Sequence, residues 1–148
     1  MSEPAREHGP AGHPAHPRRW IAAFIVALCA LAAGIGSHEV AQRRRERAHD
    51  AAAVTGGDPA RAPAIMRRYG CAGCHEIPGV PGAFGRVGPP LRGFAGRRFI
   101  GGVVTNEPDH LVAWIRDPKQ FDPRSAMPAV GVSEAQARDL AAYLYTLR

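Results

Sequence analysis

The sequence predicts an all-α chain in which a few helices and long loops wrap one covalently held group, preceded by a single N-terminal membrane-spanning helix. Three observations predict it. Residues 20–37 carry no charged side chain. Downstream, apolar residues recur at helical spacing in three stretches: Ile65, Met66 and Tyr69; Leu111, Trp114 and Ile115; and Ala137, Leu140, Tyr143, Leu144 and Leu147. Between the first two stretches lie residues 76–105, a run of 30 with eight Gly and four Pro, directly after Cys71-Ala72-Gly73-Cys74-His75.

That pentapeptide is the signature of c-type haem attachment. Two thiols spaced i, i+3 reach the two vinyl groups on one edge of a porphyrin. The histidine that follows faces the iron as an axial ligand. A thioredoxin-like redox pair would sit in a βαβ context, and the segment lacks strand-like alternation. A zinc site would place a second Cys or His pair nearby, whereas the remaining cysteine, Cys29, is far upstream.

Composition narrows the class. A chain of 148 residues with 17 Gly and 14 Pro is one loop-rich domain plus its termini. Its net charge of +6 divides as seven Arg against five acids before residue 51 and twelve Lys/Arg against eight acids after it. The basic balance suits an acidic protein partner. Nucleic acid is disfavoured, since no recognition helix or basic-aromatic stripe is present.

In chain order, residues 1–19 hold Pro4, Pro10, Pro14 and Pro17 and read as a disordered tail. His8, His13 and His16 read as solvated rather than metal-binding. Residues 20–37, as a helix, span about 27 Å, close to the ~30 Å hydrocarbon core of a bilayer. Trp20 suits the interface, with Arg18 and Arg19 behind it. An uncleaved signal-anchor is favoured over a signal peptide cut after Ala32, because the apolar run continues beyond that residue. Arg6, Arg18 and Arg19 on one side nearly balance Arg43, Arg44, Arg45 and Arg47 on the other, so loop charge does not settle orientation. Haem attachment outside the cytoplasmic membrane places the C-terminal domain on the periplasmic side. Cys29 reads as a small apolar helix residue.

Residues 38–57 read as a charged helical linker closed by Gly56-Gly57. The haem domain is expected over 58–148. Asp58-Pro59 signals a helix start and Tyr69-Gly70 its end. Met66 belongs to that helix's core face. The apolar residues of the 76–105 loop (Ile77, Val80, Phe84, Val87, Leu91, Phe94, Phe99 and Ile100) are expected to pack on porphyrin. Roughly 90 residues make a small core alone, and a buried haem supplies the missing apolar surface. Thr105 or Asn106 caps the next helix, with Pro108 in its first turn and Pro118 past its end. Ser133-Glu134-Ala135-Gln136 is a capping box that opens the last helix.

Residues 58–148 resemble the class I c-type cytochromes, and in particular the cytochrome c domain fused to subunit II of some bacterial haem-copper oxidases. Besides Cys71, Cys74 and His75, three separated matches carry the resemblance. They are Gly88-Pro89-Pro90-Leu91-Arg92-Gly93-Phe94-Ala95-Gly96-Arg97; Leu111-Val112-Ala113-Trp114-Ile115-Arg116-Asp117-Pro118 through to Met127; and Asp139-Leu140-Ala141-Ala142-Tyr143-Leu144. The chain departs from the family where Ala62 replaces a common helix-packing glycine, and where the stretch from Arg97 to Leu111 is short.

The resemblance implies a class I cytochrome c fold around one haem c, attached through Cys71 and Cys74. His75 is then the proximal iron ligand, oriented by the Pro89 carbonyl. Met127 is the distal ligand. Arg97 neutralises a haem propionate, Ser125 hydrogen-bonds one, and Trp114 stands beside the methionine. Met127 also has a case of its own: Met66 faces a helix core, and His110, the main rival, lies near a helix start. Iron with His and Met on its two faces has no open site, which points to an electron carrier rather than an enzyme. The expected role is a membrane-tethered carrier in a respiratory chain. Its donor would be a partner such as a cytochrome bc-type complex, and its acceptor one such as a terminal oxidase. A fixed subunit of an oxidase or reductase is the main alternative. A gas sensor or peroxidase-like enzyme would need Met127 off the iron.

Overall fold

The computed structural model describes residues 17–148. The predicted tail, with Arg6, His8, His13 and His16, therefore lies outside the described residues apart from its last positions. The chain divides into two units, one ending at Val40 and the other running Ala41–Arg148.

The first helix, α1, covers Pro17–Thr55, 39 residues. Its apolar stretch is long and apolar enough to cross a membrane, and none of that stretch is buried by the rest of the protein. Phe24 is 70% exposed and Leu31 is 62% exposed. The predicted apolar helix and charged linker are thus one continuous element. The residues from Ala41 onward belong to the second unit, where Ala51 and Thr55, one turn apart, are buried. Gly56, at φ +69°, ends the helix. The Thr55 carbonyl accepts from Arg138 Nη1 at 3.1 Å. Gly57 lies so close to the Arg138–Asp139 backbone that a β-carbon there would collide with it.

The next helix begins later than Asp58-Pro59 suggests. α2 is Ala62–Arg68, with Arg61 as its N-cap. The cause is Pro63. It has no N–H to give the Pro59 carbonyl, so the first full helical bond runs from Ile65 N to the Arg61 carbonyl. Asp58 instead accepts from Ala60 N at 2.9 Å and donates its own N–H to Asp139 Oδ1 at 2.7 Å.

A single turn, α3 (Cys71–Cys74), holds the haem-attachment motif. The Gly/Pro-rich stretch that follows contains a 3-10 turn at Phe94–Gly96 and a short hairpin, β1 (Phe99–Ile100) with β2 (Val104–Thr105). Both were invisible to periodicity because each is too short to show one. Helix α4 is Pro108–Arg116, and its N-cap is Glu107 rather than Thr105 or Asn106. Asn106 has other bonds to make: its Nδ2 donates to the carbonyls of Phe94 and Arg97, tying the 3-10 turn to α4. Helix α5 is Glu134–Thr146 and has the expected capping box. Gln136 N donates to Ser133 Oγ and Ser133 N to Gln136 Oε1.

Helix α5 is the hub of the second unit, packing against α2, α4 and the 3-10 turn. Its small residues Ala137, Ala141 and Ala142 are wholly buried, and Leu140 and Leu144 nearly so. Ala62, the residue standing in for a glycine, is itself fully buried in this core.

Candidate haem site

The sequence of the motif dictates its local form. Gly70, at φ +74°, stops α2 and starts the Cys71–Cys74 turn, a conformation that costs a residue without a β-carbon little. The turn places His75 in extended backbone. Its imidazole then meets the 85–89 segment, and the Pro89 carbonyl lies 2.8 Å from His75 Nδ1. A carbonyl only accepts, so Nδ1 carries the proton and Nε2 is left with a free lone pair.

Glycines make this approach possible. A β-carbon on Gly88 would strike the His75 ring, and one on Gly85 would strike the backbone of Gly73 and Cys74. Gly88 N also donates to the Cys74 carbonyl at 2.8 Å, and Leu91 N to that of Glu76. Only the first of these glycines belongs to a motif singled out from sequence. Nothing in the sequence marked Gly85.

Cys71, Cys74 and His75 line a cavity of about 370 Å³. Met127 lines the same cavity, with Ser125, Trp114, Arg97 and Pro89, so every residue expected at the site reaches one space. Its remaining wall is mostly apolar, with Met66, Ile77, Leu91, Phe94, Leu111 and Leu140 among its residues, and also includes Tyr69 and Asp122. Two larger hollows occur in this unit, one beside Arg47 and Arg148 and one beside Arg116 and Gln120. Neither has thiol, imidazole or thioether groups.

Not all of the loop's apolar residues turn inward. Phe84 is 78% exposed and Phe99 50%, contrary to the expectation that they pack on porphyrin. Val80 is buried, but in the protein core rather than along the cavity. Phe84 is turned out because its backbone bridges Glu76, and Ile77 N bonds to the Ala83 carbonyl, so alternation puts Ala83 inside.

The individual side chains are well held. Arg97 donates through Nη2 to the Pro90 carbonyl and lies 5.1 Å over the Phe94 ring. Ser125 Oγ accepts from Met127 N at 3.3 Å, bracing the methionine's backbone. Trp114 stacks toward Phe121 with ring centres 6.2 Å apart. Gly101, at φ +58°, lets the hairpin close over the Trp114 ring, where a β-carbon would collide. His110 is occupied elsewhere, with Nδ1 3.0 Å from Thr105 Oγ1, and is not among the cavity-lining residues. Burial pushes the Cys71 thiol above its ordinary range, against a backbone hydrogen bond that lowers it, and the neighbouring Cys74 adds to the rise.

The donor set fits a covalently bound haem. Two thiols, a free imidazole nitrogen and a thioether share the cavity, and the rest is largely hydrocarbon, with the Arg97 guanidinium, the Asp122 carboxylate and the hydroxyls of Tyr69 and Ser125 as its other polar groups. The Cytochrome c family model matches residues 59–148, more than half of the chain. This protein is a member of the cytochrome c family. The Cytochrome c of Theileria annulata is 34% identical over 104 residues, covering 62% of this chain and 87% of the relative. The Cytochrome c oxidase subunit 2 of Alkalihalophilus pseudofirmus is 35% identical over 85 residues, covering 57% of this chain. The chain spans only 24% of that subunit's length. No solved structure matches it significantly. As a class I c-type cytochrome, the protein binds haem c covalently through Cys71 and Cys74.

Proposed function

We propose that this cytochrome is a membrane-tethered, single-haem electron carrier of a respiratory chain that delivers electrons to a terminal haem-copper oxidase. One observation supports it above the others: His75 and Met127 line the same cavity as the two attachment cysteines. Haem supplies a one-electron iron couple there. His75 Nε2, its ring held by the Nδ1–H bond to Pro89, and the Met127 thioether would hold its iron. Ligation by both would leave no position for substrate and would favour a relatively high potential. Arg97 neutralises a propionate, Ser125 steadies the methionine loop, and Trp114 walls the methionine side.

In this reading residues 20–37 of α1 form an uncleaved signal-anchor in a bacterial cytoplasmic membrane, and the haem domain stands on the periplasmic side. The anchor raises the effective concentration of the haem for complexes in the same membrane. The donor is a bc-type complex. A second reading is favoured by the likeness to a Cytochrome c oxidase subunit 2: the chain is a fixed subunit of such a complex. Co-purification in mild detergent separates the two, since a shuttle leaves the complex and a subunit stays.

The deciding experiment is spectroscopic. The full chain, purified from membranes, is expected to show the weak far-red band of ferric iron–methionine ligation, and its ferrous form to resist carbon monoxide. A native protein lacking that band and binding carbon monoxide readily has an open site, and is a sensor or a peroxidase-like enzyme instead.

A further inference from the structure

One ionisable side chain lines the haem cavity without a part in attachment or ligation. Among the described residues, Arg97 is the strong base that lines the cavity and Asp122 is the acid. Arg97 is held by the Pro90 carbonyl, at the end of the 88–97 stretch. Asp122 belongs to a different stretch, five residues before Met127. The other polar groups are neutral or spent. Tyr69 donates its hydroxyl to Gln136 Oε1, His75 keeps its Nδ1 proton against Pro89, and both thiols go into haem attachment.

The backbone around Asp122 fixes its carboxylate in place. Asp122 N donates to the Pro118 carbonyl at 3.0 Å, and the Asp122 carbonyl accepts from Ser125 N at 2.9 Å. Asp122 Oδ1 accepts from Arg124 N at 3.0 Å, the bond of an Asx turn. The side chain is 24% exposed. Arg124 Nε lies 3.6 Å from the same oxygen, but the Arg124 side chain is 93% exposed, so water and salt screen its charge. Oδ2 has no partner among the described residues. The acid is thus mostly out of water while its one counter-charge is in it. An apolar cavity is where such a group acts at a distance, because low dielectric weakens a field least.

We propose that Asp122 is a potential-setting residue, whose carboxylate favours the ferric state of the haem against the pull of the Met127 thioether toward ferrous iron. This rests on the electron-carrier reading above. When a donor gives up one electron to the haem, the site gains one negative charge, and no bond is made or broken. A fixed negative charge on the cavity wall opposes that gain. A unit charge about 12 Å away, at an effective dielectric of about 20, changes the equilibrium roughly tenfold, which is ~59 mV for one electron. Asp122 therefore trims the high potential that the two ligands favour. Delivery to the acceptor becomes easier, and uptake from the donor harder, by the same factor.

The test is a redox titration of the full chain, purified in mild detergent, with the far-red band recorded on the same samples. Asp122→Asn keeps an oxygen to accept from Arg124 N and removes the charge. It is expected to favour the ferrous form about tenfold, ~59 mV upward, with the far-red band retained. Asp122→Glu, which keeps the charge, is expected to titrate within about twofold of wild type. Arg124→Gln removes the screened charge and is expected to move the equilibrium by less than about twofold. An Asp122→Asn protein that titrates with wild type overturns the proposal, as does an Asp122→Glu protein that titrates with Asp122→Asn. Loss of the far-red band in Asp122→Asn also overturns it, since the side chain would then act by supporting the Met127 loop. So does a shift in Arg124→Gln as large as that of Asp122→Asn and opposite in sign, because the potential would then follow surface charge at large. A wild-type protein without the far-red band fails the carrier reading itself, a result distinct from an unmoved potential.

Discussion

His75 donates its Nδ1–H to the Pro89 carbonyl across 2.8 Å, and the glycine before that proline leaves the ring no room to spare. One residue fixes the tautomer and the next fixes the position. Gly88→Val is therefore expected to push the imidazole off its bond while leaving both attachment thiols in place. The measurement is the absorption spectrum of purified ferric and ferrous protein. A shift toward high-spin iron is expected, with haem still covalently attached, and a spectrum identical to wild type would contradict the packing argument.

Met127→Ala is expected to abolish the far-red band, lower the midpoint potential and open the ferrous iron to carbon monoxide. His110→Ala is expected to do none of these, since His110 is engaged with Thr105 and not at the cavity. The pair of variants, compared by redox titration and carbon monoxide difference spectra, decides between the two candidate ligands.

Asp139 is 7% exposed and accepts the Asp58 N–H at 2.7 Å, joining the chain after α1 to the centre of α5. Asp139→Ala removes a charge-assisted bond and leaves the amide without its partner. A cost of about 1.5–3 kcal/mol is expected in urea unfolding of the holoprotein. Leu111→Ala, at a fully buried cavity-lining position, is expected to cost ~2–5 kcal/mol.

Two tyrosines give the fold an alkaline limit. Tyr143 donates its hydroxyl to the Pro78 carbonyl at 2.7 Å, and Tyr145 donates to Asn106 at 3.1 Å. Burial raises both above the ordinary value of 10.0, and Glu107 raises Tyr145 further. The neutral phenol is therefore preferred in the folded state. Its contribution is fully present below about pH 10 and is lost as pH rises through the raised folded values. Replacing both by Phe is expected to flatten the decline in thermal stability above pH 10, measured by circular dichroism.

The two hairpin glycines allow a last check. Gly101→Val places a branched side chain both at a positive φ and against the Trp114 ring. It is expected to destabilise the protein by about 2 kcal/mol or more and to quicken loss of the far-red band on heating. Gly102→Ala, at φ +78° with open space around it, carries the backbone cost alone, ~1 kcal/mol.

Much of this protein is written in short-range pattern. The Cys71–His75 pentapeptide determined the cofactor, because covalent attachment needs fixed residues at fixed spacing. The capping box at Ser133–Gln136 and the apolar spacing of α4 and α5 determined those helices, because capping and periodicity are local. What only the tertiary structure decided is which groups meet across the chain. Nothing local told that Ala51 and Thr55 would be buried at the end of α1, or that Gly85 would press on the motif's backbone. Nor did hydrophobicity tell that Phe84 would face outward while Val87 lined the cavity. Apolar character says that a residue can be buried, and a loop without periodicity does not say on which side. That choice was made by the Glu76–Phe84 bridge, a contact that exists only once the chain has turned back on itself.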